Sequence, residues 1–462
     1  MGDRFEHALG DADALMWNID RDPALRSTIV TALVLDRAPG WDDLLDRLER
    51  GTRLIPRLRQ RVVEPALRLG PPAWSADPDF DLGYHVRRVR APKPRSFDAV
   101  LDVAATAAMG DFDRSRPLWE CTLIEALPEK RAAIVLKVHH SISDGVGGVK
   151  LLMMLFDFER EPEIRAPDPQ PSSLPVFTPL SLLPRGIEWQ AQRTAMNVKR
   201  VASGALATAR WVRDDASGAV ASVSRAVGSI ARFLQPAPNP MSPAISDRSL
   251  DRRVTTLSVP LDDLKRASKA VGATLNDAFV AGVLGGLRTY HEARGVMTDD
   301  LRMMMPINIR GDAASMGGNH FTTARLVVPL AIVDPTERIA EVSARCKALR
   351  AEPAVALSGH LATVLNRLPR RVATALFGSM LKGADFITSN VPGSPFPLYL
   401  CGTEVQEIYA FGPVSGSAAN IVLLSHCGTC FVGVTTDRRA IPDTDVLREH
   451  LVASFDEIVA LG

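Results

Sequence analysis

Two adjacent histidines follow an apolar segment and carry the side chains best suited to moving protons. His139 and His140 come directly after AAIVLKV, and Asp144 and Gly145 end the heptapeptide HHSISDG. Neighbouring residues of a strand point to opposite sides, so only one histidine can face a given cleft. His140 opens the turn, and imidazole is the side chain whose ordinary pKa suits proton transfer near neutrality. We therefore predict that His140 is the reactive imidazole and that the turn brings the Asp144 carboxylate close to it.

A simpler interpretation is that the two histidines only cap the strand or face solvent. The aspartate and glycine at the end of the motif make this interpretation weaker, because Asp-Gly lets the backbone turn back toward the histidines. The apolar segment that follows, VGGVKLLMMLFDF (146–158), has helical spacing. The motif is therefore predicted to lie between a strand and a helix.

The segments around the motif alternate between strand-like and helix-like patterns. Residues 118–127 and 131–140 flank a polar Pro-Glu-Lys break, which predicts an antiparallel hairpin that ends at the histidines. Upstream, β-branched and apolar residues predict a strand, and two stretches of helical periodicity predict helices. These are the strand 28–36 and the helices 41–53 and 98–109.

The composition changes twice along the chain. Residues 161–185 are rich in proline, and residues 186–234 are rich in Ala, Val and Ser with spaced basic residues. The α/β alternation resumes near residue 251, where Thr274 is a predicted N-cap of a long apolar helix. We expect two α/β regions, residues 1–160 and 251–462, joined by a helical crossover over 161–250.

Several further segments of the second region read as strands. They are LRMMMPINIR, FTTARLVVPLAIV, ADFITSNVPG, EVQEIYAF and the pair IVLLSH and CFVGVTTD.

The motifs together resemble those of the bacterial wax ester synthase/diacylglycerol acyltransferase family, a branch of the HHxxxDG superfamily of CoA-dependent acyltransferases. The resemblance extends over nearly the whole chain, in the order that the family shows. Two segments depart from the family pattern, since PINIR replaces the more usual PVSxR and Ser394 stands where the family often has proline. The matching segments are LGDADALMW, DFDLGYHVR (79–87), RPLWE (116–120), LNDAF (275–279), PINIR (306–310), GNHF (318–321) and SNVPG (389–393).

The resemblance implies a fold and a reaction. The fold would be two chloramphenicol-acetyltransferase-like α/β domains with mixed sheets and an active-site tunnel at their interface. The reaction would move an acyl group from acyl-CoA to the hydroxyl of diacylglycerol or of a long-chain alcohol. His140 would be the general base, and Asp144 would orient the turn through an arginine, for which Arg310 is the expected partner. His139 would pack inward as a structural residue.

The resemblance and the chemistry of a tetrahedral intermediate suggest further site residues. Asn276 begins a helix that would face the site and is the expected oxyanion donor, although Asn276 and Asp277 could simply cap that helix. Ser389 and Asn390 end a strand expected to meet the histidine from the second region, or else belong to a plain Pro-Gly turn. The side chains of Pro117, Leu118 and Trp119 are expected to pack beneath the catalytic strand.

Composition excludes several classes of function. The chain has 462 residues, 46% of them hydrophobic, and a formal net charge of +1, so it lacks the basic field of a non-specific nucleic-acid-binding protein. Its apolar runs are too short to span a bilayer, and its five scattered cysteines predict reduced thiols in a cytoplasmic protein. In CGTC (427–430), we predict a hairpin turn at Gly428-Thr429 rather than a redox or zinc site. No metal or cofactor is expected besides the substrate acyl-CoA.

Other functions stay open at this level. The enzyme could be condensation-like and take its acyl group from a carrier protein, or the chain could be a non-catalytic lipid-binding protein. The basic residues of 186–234 fit either a solvated crossover or an interfacial helix attracted to anionic lipid. In the second case, the cytoplasmic protein would make peripheral contact with the inner membrane face or with lipid droplets.

Overall fold

A computed structural model describes residues 7–143, 145–162, 174–196, 239–308, 321–352 and 370–462. Two six-stranded mixed sheets form its centre, and a two-stranded sheet accompanies them. This is the two-region α/β architecture with mixed sheets that the sequence predicted. The strands are β1 (Thr28–Leu35), β2 (Gln60–Val63), β3 (Ala73–Ala76), β4 (Val86–Arg90), β5 (Trp119–Glu125), β6 (Ala132–His139), β7 (Arg252–Pro260), β8 (Asp300–Asn308), β9 (Phe321–Pro329), β10 (Phe386–Val391), β11 (Tyr399–Leu400), β12 (Thr403–Phe411), β13 (Ala419–His426) and β14 (Thr429–Asp437).

Helices pack against both sheets, and some of them also contribute to the space between the sheets. Residues 183–196 of the predicted crossover are also helical, whereas 163–173 and 197–238 lie outside the described residues. The helices are α1 (Asp11–Ile19), α2 (Trp41–Leu54), α3 (Leu82–His85), α4 (Phe97–Met109), α5 (Gly145–Met153), α6 (Leu261–Ala270), α7 (Leu275–Ala293), α8 (Pro335–Arg350), α9 (Arg370–Lys382) and α10 (Thr444–Val459).

The first sheet has the strand order β11-β12-β1-β6-β5-β4. The predicted hairpin is confirmed, since β5 and β6 pair antiparallel with Trp119 opposite Val138. Strand β1 pairs on the other side of β6 and places Thr28 opposite His139. The histidine motif therefore leaves the sheet from an interior strand, next to the beginning of β1.

The second sheet has the order β7-β14-β13-β10-β8-β9 and packs against α7. Thr274 caps this helix as predicted, because its side chain accepts from the Asp277 N–H and the Asp277 carboxylate accepts from the Thr274 N–H. Such a capping box satisfies two backbone donors that a helix start otherwise leaves unpaired. The long apolar helix is thus anchored at the end nearest the sheet strand β8.

Strands β11 and β12 come from the second half of the chain, yet they extend the first sheet. Strand β12 pairs antiparallel with β1, with Phe411 opposite Val30. The two sheets approach closely at this strand, because a Cβ on Gly433 of β14 would lie 2.2 Å from the Ala410 carbonyl oxygen. Residues 399–411, which the sequence assigned to the 251–462 region, therefore link the two sheets.

Two local expectations need correction. The two-residue turn between β13 and β14 is Cys427-Gly428, with φ values of 44° and 80°, and not Gly428-Thr429. The helix predicted over 146–158 ends at Met153, and Asp157 instead forms a bridge with Tyr399. The Arg47 guanidinium holds the Asp157 carboxylate in this position through hydrogen bonds of 2.9 and 2.5 Å.

No single helix within the described ranges is long and apolar enough to cross a membrane. Helices α6 and α7 pass that test only as a pair, by length and composition, and they are bent by 96° relative to each other.

Candidate active site

A cavity of about 300 Å³ lies between the facing surfaces of the two sheets. Most of the strands contribute alternate residues, as expected when one face of a pleated sheet lines a space, whereas residues 389–391 at the end of β10 all line it. Most of the lining is apolar, and the polar side chains His140, Ser389, Asn390 and Asn420 stand near strand ends. From the first sheet come Ile29, Thr31, Leu136, Val138 and His140, and from the second come Ile387, Ser389, Asn390, Asn420, Val422 and Leu424.

His140 is the histidine of the pair that reaches this cavity. Residues Leu136, Val138 and His140 all line the cavity, whereas His139 is buried on the opposite side. The backbone N–H of His140 donates to the Ser27 carbonyl oxygen at 2.8 Å, so the residue continues the β1–β6 pairing one step beyond the strand. The strand period therefore aims one imidazole into the space between the sheets.

Asp144 lies outside the described residues, as does Arg310, its expected partner. Gly145 begins α5, which follows the motif directly. Further along this helix, Gly148, Val149 and Leu152 line the cavity. The helix after the motif thus forms part of the cavity wall.

Ser389 and Asn390 reach the same cavity from the second sheet. They stand on β10, an interior strand that runs parallel to β13 with Asn390 opposite Leu423. After the strand, the Gly393 N–H donates to the Ser425 hydroxyl at 3.3 Å, which ties down the turn. The structure therefore brings these two residues and His140 to one space, although about 250 residues of chain separate them.

Asn276 is not brought to this cavity, contrary to the expected role as oxyanion donor. Its side-chain amide donates to the Met305 sulfur at 3.5 Å. Along β8, Met304 and Pro306 line the cavity, whereas Met305 points to the opposite face and packs against α7. The interpretation that fits is the local one, in which this stretch of the sequence begins and caps the helix.

The Pro-Leu-Trp segment forms one end of the cavity wall. Pro117, Leu118 and Trp119 are all buried, and Trp119 also lines the cavity. The Trp119 indole N–H donates to the Leu58 carbonyl oxygen at 2.8 Å, and the His85 ring stacks on the indole at 4.6 Å. Burial lowers the pKa of His85, and its Nδ1 donates to the Trp119 carbonyl oxygen at 2.7 Å. This packing fixes the indole at the cavity wall.

Among the cavity residues that the sequence analysis did not single out, two carry a buried polar atom without a hydrogen-bond partner in the described part of the chain. Ser143 is buried and lines the cavity, and within the described part of the chain its hydroxyl has no hydrogen-bond partner. Asn420 donates its amide to the Pro413 carbonyl oxygen at 2.7 Å, while its Oδ1 is buried without a partner among the described residues. Ser143 could have been found from its place inside the histidine motif. Asn420 gives no such signal, because it stands in the apolar run SAANIVLLS.

The described ranges hold no group of three or more His, Cys, Asp and Glu side chains that could bind a metal ion. The two cysteines of CGTC differ in environment, since Cys427 is exposed and Cys430 is buried. Burial raises the pKa of the Cys430 thiol to about 11, so it stays protonated near neutrality and is a poor nucleophile. Neither is in a disulfide.

Comparisons with known proteins agree over almost the entire chain. A sequence profile of the wax ester synthase/diacylglycerol acyltransferase catalytic domain matches residues 9–279, and one of the C-terminal domain of these proteins matches residues 317–459. A putative diacylglycerol O-acyltransferase of Mycobacterium tuberculosis is 39% identical over 460 residues, which cover 99% of this chain and 93% of the relative. A probable diacylglycerol O-acyltransferase of the same species is 27% identical over 444 residues, covering 93% of this chain and 90% of the relative.

Solved structures show the same fold. The wax ester synthase/diacylglycerol acyltransferase of Marinobacter aquaeolei superposes with a TM-score of 0.62 at 21% identity, with 98% of each chain covered. The first condensation domain of the calcium-dependent antibiotic synthetase superposes with a TM-score of 0.60 at 17% identity, covering 98% of this chain and 96% of that one.

Proposed function

Since the chain belongs to the wax ester synthase/diacylglycerol acyltransferase family, we propose that this acyltransferase uses long-chain acyl-CoA as donor and a lipid alcohol as acceptor. The acceptor would be diacylglycerol, a long-chain alcohol or both. The observation that carries the proposal is the position of His140 in a mostly apolar cavity between two sheets. Such a cavity suits lipid chains, and its lining includes the polar side chains of His140, Ser389 and Asn390.

His140 would act as general base and then as general acid. Its imidazole would take the proton of the acceptor hydroxyl as that oxygen attacks the thioester carbonyl carbon. The new C–O bond forms in a tetrahedral intermediate, and the C–S bond then breaks. The imidazolium would return the same proton to the leaving thiolate, so that CoA departs as a thiol and the products are an ester and free CoA. A positioned acid–base group of this kind accelerates a reaction by about 10²–10⁴-fold.

The oxygen of the tetrahedral intermediate needs hydrogen-bond donors. Asn390 and Ser389 line the cavity that His140 enters, and both side chains can donate. The Ser143 hydroxyl has no partner within the described ranges and is a further donor in the same lining. We assign the side-chain amide of Asn390 as the principal oxyanion donor, because it projects from an interior strand whose position the sheet holds.

The apolar lining would also protect the thioester from hydrolysis. Leu152, Val149 and Trp119 surround the cavity near the histidine motif, and they offer no hydrogen-bonding group that would retain water, apart from the indole N–H already bonded to Leu58. Holding both substrates in such a space removes the entropy cost of bringing them together at the reacting step.

Contact with a membrane or droplet surface belongs to the same proposal, because both substrates carry long apolar chains. Most of the basic segment 186–234 lies outside the described residues. In the described part, Arg193 pairs with Asp11 at 3.0 Å and lies over the Trp189 ring.

Vesicle flotation tests whether this segment binds membranes. Flotation on anionic vesicles should be lost when its basic residues Lys199, Arg200, Arg210 and Arg213 are neutralised. Flotation unchanged by these substitutions contradicts it.

The proposed activity is tested with purified protein, long-chain acyl-CoA and either diacylglycerol or a fatty alcohol. We expect release of free CoA thiol that depends on the acceptor and equals the amount of ester formed. Parallel reactions with an acyl group on a carrier protein identify a condensation-like donor preference. Thiol release without ester would indicate hydrolysis, and no release above the blank with any acceptor contradicts the proposal.

A further inference from the structure

Behind the histidine motif lies a buried carboxylate that the proposed reaction does not use. Asp20 follows α1 and is only 4% exposed. Its Oδ1 accepts from the Ser27 N–H at 2.7 Å, and its Oδ2 accepts from an Arg114 N–H at 2.8 Å. The same Oδ1 lies 3.4 Å from Nε2 of His139. Three separate stretches of the chain, the beginning of β1, the segment before β5 and the histidine motif, therefore converge on this side chain.

The Asp20 carboxylate is charged throughout the neutral range. Burial alone raises the pKa of such a carboxyl, but His139, the Ser27 N–H and Arg114 outweigh it and lower the pKa to about 2. Of these, only the Arg114 guanidinium carries a fixed positive charge. Removing a group that compensates a buried charge is strongly destabilising, so the groups that contact this carboxylate are held close to it.

The hydrogen bonds assign the tautomer of His139. The Ser141 N–H donates to Nδ1 of His139 at 3.1 Å, so Nδ1 is an acceptor and the ring hydrogen is on Nε2. Nε2 lies 3.4 Å from Oδ1 of Asp20, an electrostatic contact without hydrogen-bond geometry within the described residues. The ring is also held edge-on between Trp17 and Phe112, at centroid distances of 6.1 and 5.9 Å. His139 is therefore oriented by Asp20 on one side and by its own turn on the other.

The same carboxylate reaches His140 through the backbone. Ser27, whose N–H is bound by Asp20, accepts the His140 N–H with its carbonyl oxygen at 2.8 Å. We propose that Asp20 is a positioning residue, which holds His139 and Ser27 and thereby sets the direction of the His140 imidazole into the cavity. This inference rests on the proposed function of His140, because Asp20 touches no substrate and would act only through that residue.

Asp437, in the second sheet, provides a matched control. It is buried, accepts from an Arg252 N–H at 2.8 Å and from the Ser249 N–H at 2.8 Å, and does not line the cavity. Asp20 and Asp437 are both buried and both accept from an arginine and from the backbone, and Asp437 accepts in addition from the Arg439 N–H and the Ser249 hydroxyl. Only Asp20 contacts the histidine motif. Replacing either by asparagine should lower stability, whereas only Asp20→Asn should affect the chemical step.

A double-mutant cycle with full-length protein tests the proposal. Thiol release is followed for wild type, Asp20→Asn, His140→Ala and the double variant. We expect Asp20→Asn to lower kcat by about 10–100-fold with little change in KM, as for a group acting only in the transition state. In the His140→Ala background, the same substitution should change the residual rate by less than about twofold. Asp437→Asn should keep kcat within about twofold of wild type.

Equal losses from Asp20→Asn in both backgrounds would overturn the proposal, because they would mean that Asp20 does not act through His140. If Asp20→Asn does not fold, Arg114→Gln replaces it, since Arg114 is partly exposed and its loss leaves the carboxylate on Ser27. We then expect Arg114→Gln to lower kcat by less than Asp20→Asn would, and to do so only in protein that retains His140.

A structural comparison, which does not depend on enzymatic activity, tests this inference separately from the proposed reaction. Crystal structures of wild type and Asp20→Asn should differ in the direction of the His140 ring, and an unchanged ring would contradict the positioning role. Wild-type protein without thiol release would instead contradict the proposed function alone.

Discussion

The two sheets face one cavity, but they use buried charge in different ways. Next to the first sheet, Asp20 contacts Ser27 and His139. His140, the other histidine of the motif, lines the cavity. In the second sheet, the buried Asp385 accepts three backbone N–H groups, including that of Ser242 at 2.9 Å and that of Arg302 at 2.7 Å. The buried carboxylates of the second sheet, Asp385 and Asp437, thus hold loops and strands together. Toward the cavity, the polar side chains that its described strands present are neutral, namely Ser389, Asn390 and Asn420.

This difference suggests a division of labour. The first sheet would handle the proton, and the second would supply the apolar wall and the neutral hydrogen-bond donors. A neutral donor suits an oxyanion that exists only briefly, because it stabilises developing charge without binding a permanent anion. The following predictions test that division.

The largest effect is expected from removing the imidazole. His140→Ala should lower kcat by about 10²–10⁴-fold, measured as thiol release, with an unchanged thermal midpoint. As a control from the second half, His291→Gln should lower the thermal midpoint but leave kcat nearly unchanged. His291 is buried and bonded to Ser242 and to the Leu287 carbonyl oxygen, away from the cavity. A His140→Ala variant that keeps more than about a tenth of the rate would refute the general-base assignment.

A smaller loss is expected from the second sheet. Asn390→Ala should lower kcat by about 10²-fold and change KM less, because it removes one donor to the oxyanion. Thr388→Val is the matched control on the same strand: Thr388 is buried, contacts the Met303 sulfur and does not line the cavity. If the two variants lose activity equally, Asn390 acts through strand packing and not through its amide.

The charge of Asp20 predicts a pH-dependent stability. Its folded pKa of about 2 lies below the ordinary 3.8, so the unfolded chain binds the proton more tightly. The contribution, about 2 kcal/mol, is fully present above the unfolded pKa and is lost as the pH falls from about 5 toward 2. Urea unfolding should therefore show the difference between wild type and Asp20→Asn shrinking over this range. A difference that stays constant with pH would contradict it.

The smallest effect is expected at the Cys427-Gly428 turn. Cys427→Ser should leave kcat within about twofold, because the residue stands in an exposed hairpin turn away from the cavity. Reductant should not change activity, and in native protein a thiol reagent should modify Cys427 before the buried Cys430. Loss of activity on reduction would mean that CGTC has a redox role.

Much of this architecture could be predicted from local patterns. The β5–β6 hairpin follows from two apolar runs around a polar break, and the Thr274 cap follows from its spacing to Asp277. The period of a strand also explains why His139 is buried while His140 lines the cavity, since successive side chains alternate. These features depend on residues close together in the chain, where spacing and side-chain type decide the geometry.

Other features depend on contacts between distant segments, which local patterns do not encode. Asn276 was expected at the site because its helix begins nearby, but the pleat of β8 turns Met305 and its contact with Asn276 away from the cavity. The addition of β12 to the first sheet, and the convergence of Arg114, Ser27 and His139 on Asp20, likewise result from long-range pairing.

The heptapeptide HHSISDG, the family and the alternation of strands and helices can thus be read directly from the residues, because each is a pattern of neighbours in the chain. The set of residues that forms the site cannot be read from the sequence in this way. Which groups share the cavity with His140 is settled when the two sheets pack against each other. The carboxylate behind the histidine motif is settled by the tertiary contacts that bring Ser27, Arg114 and His139 around Asp20 and bury it.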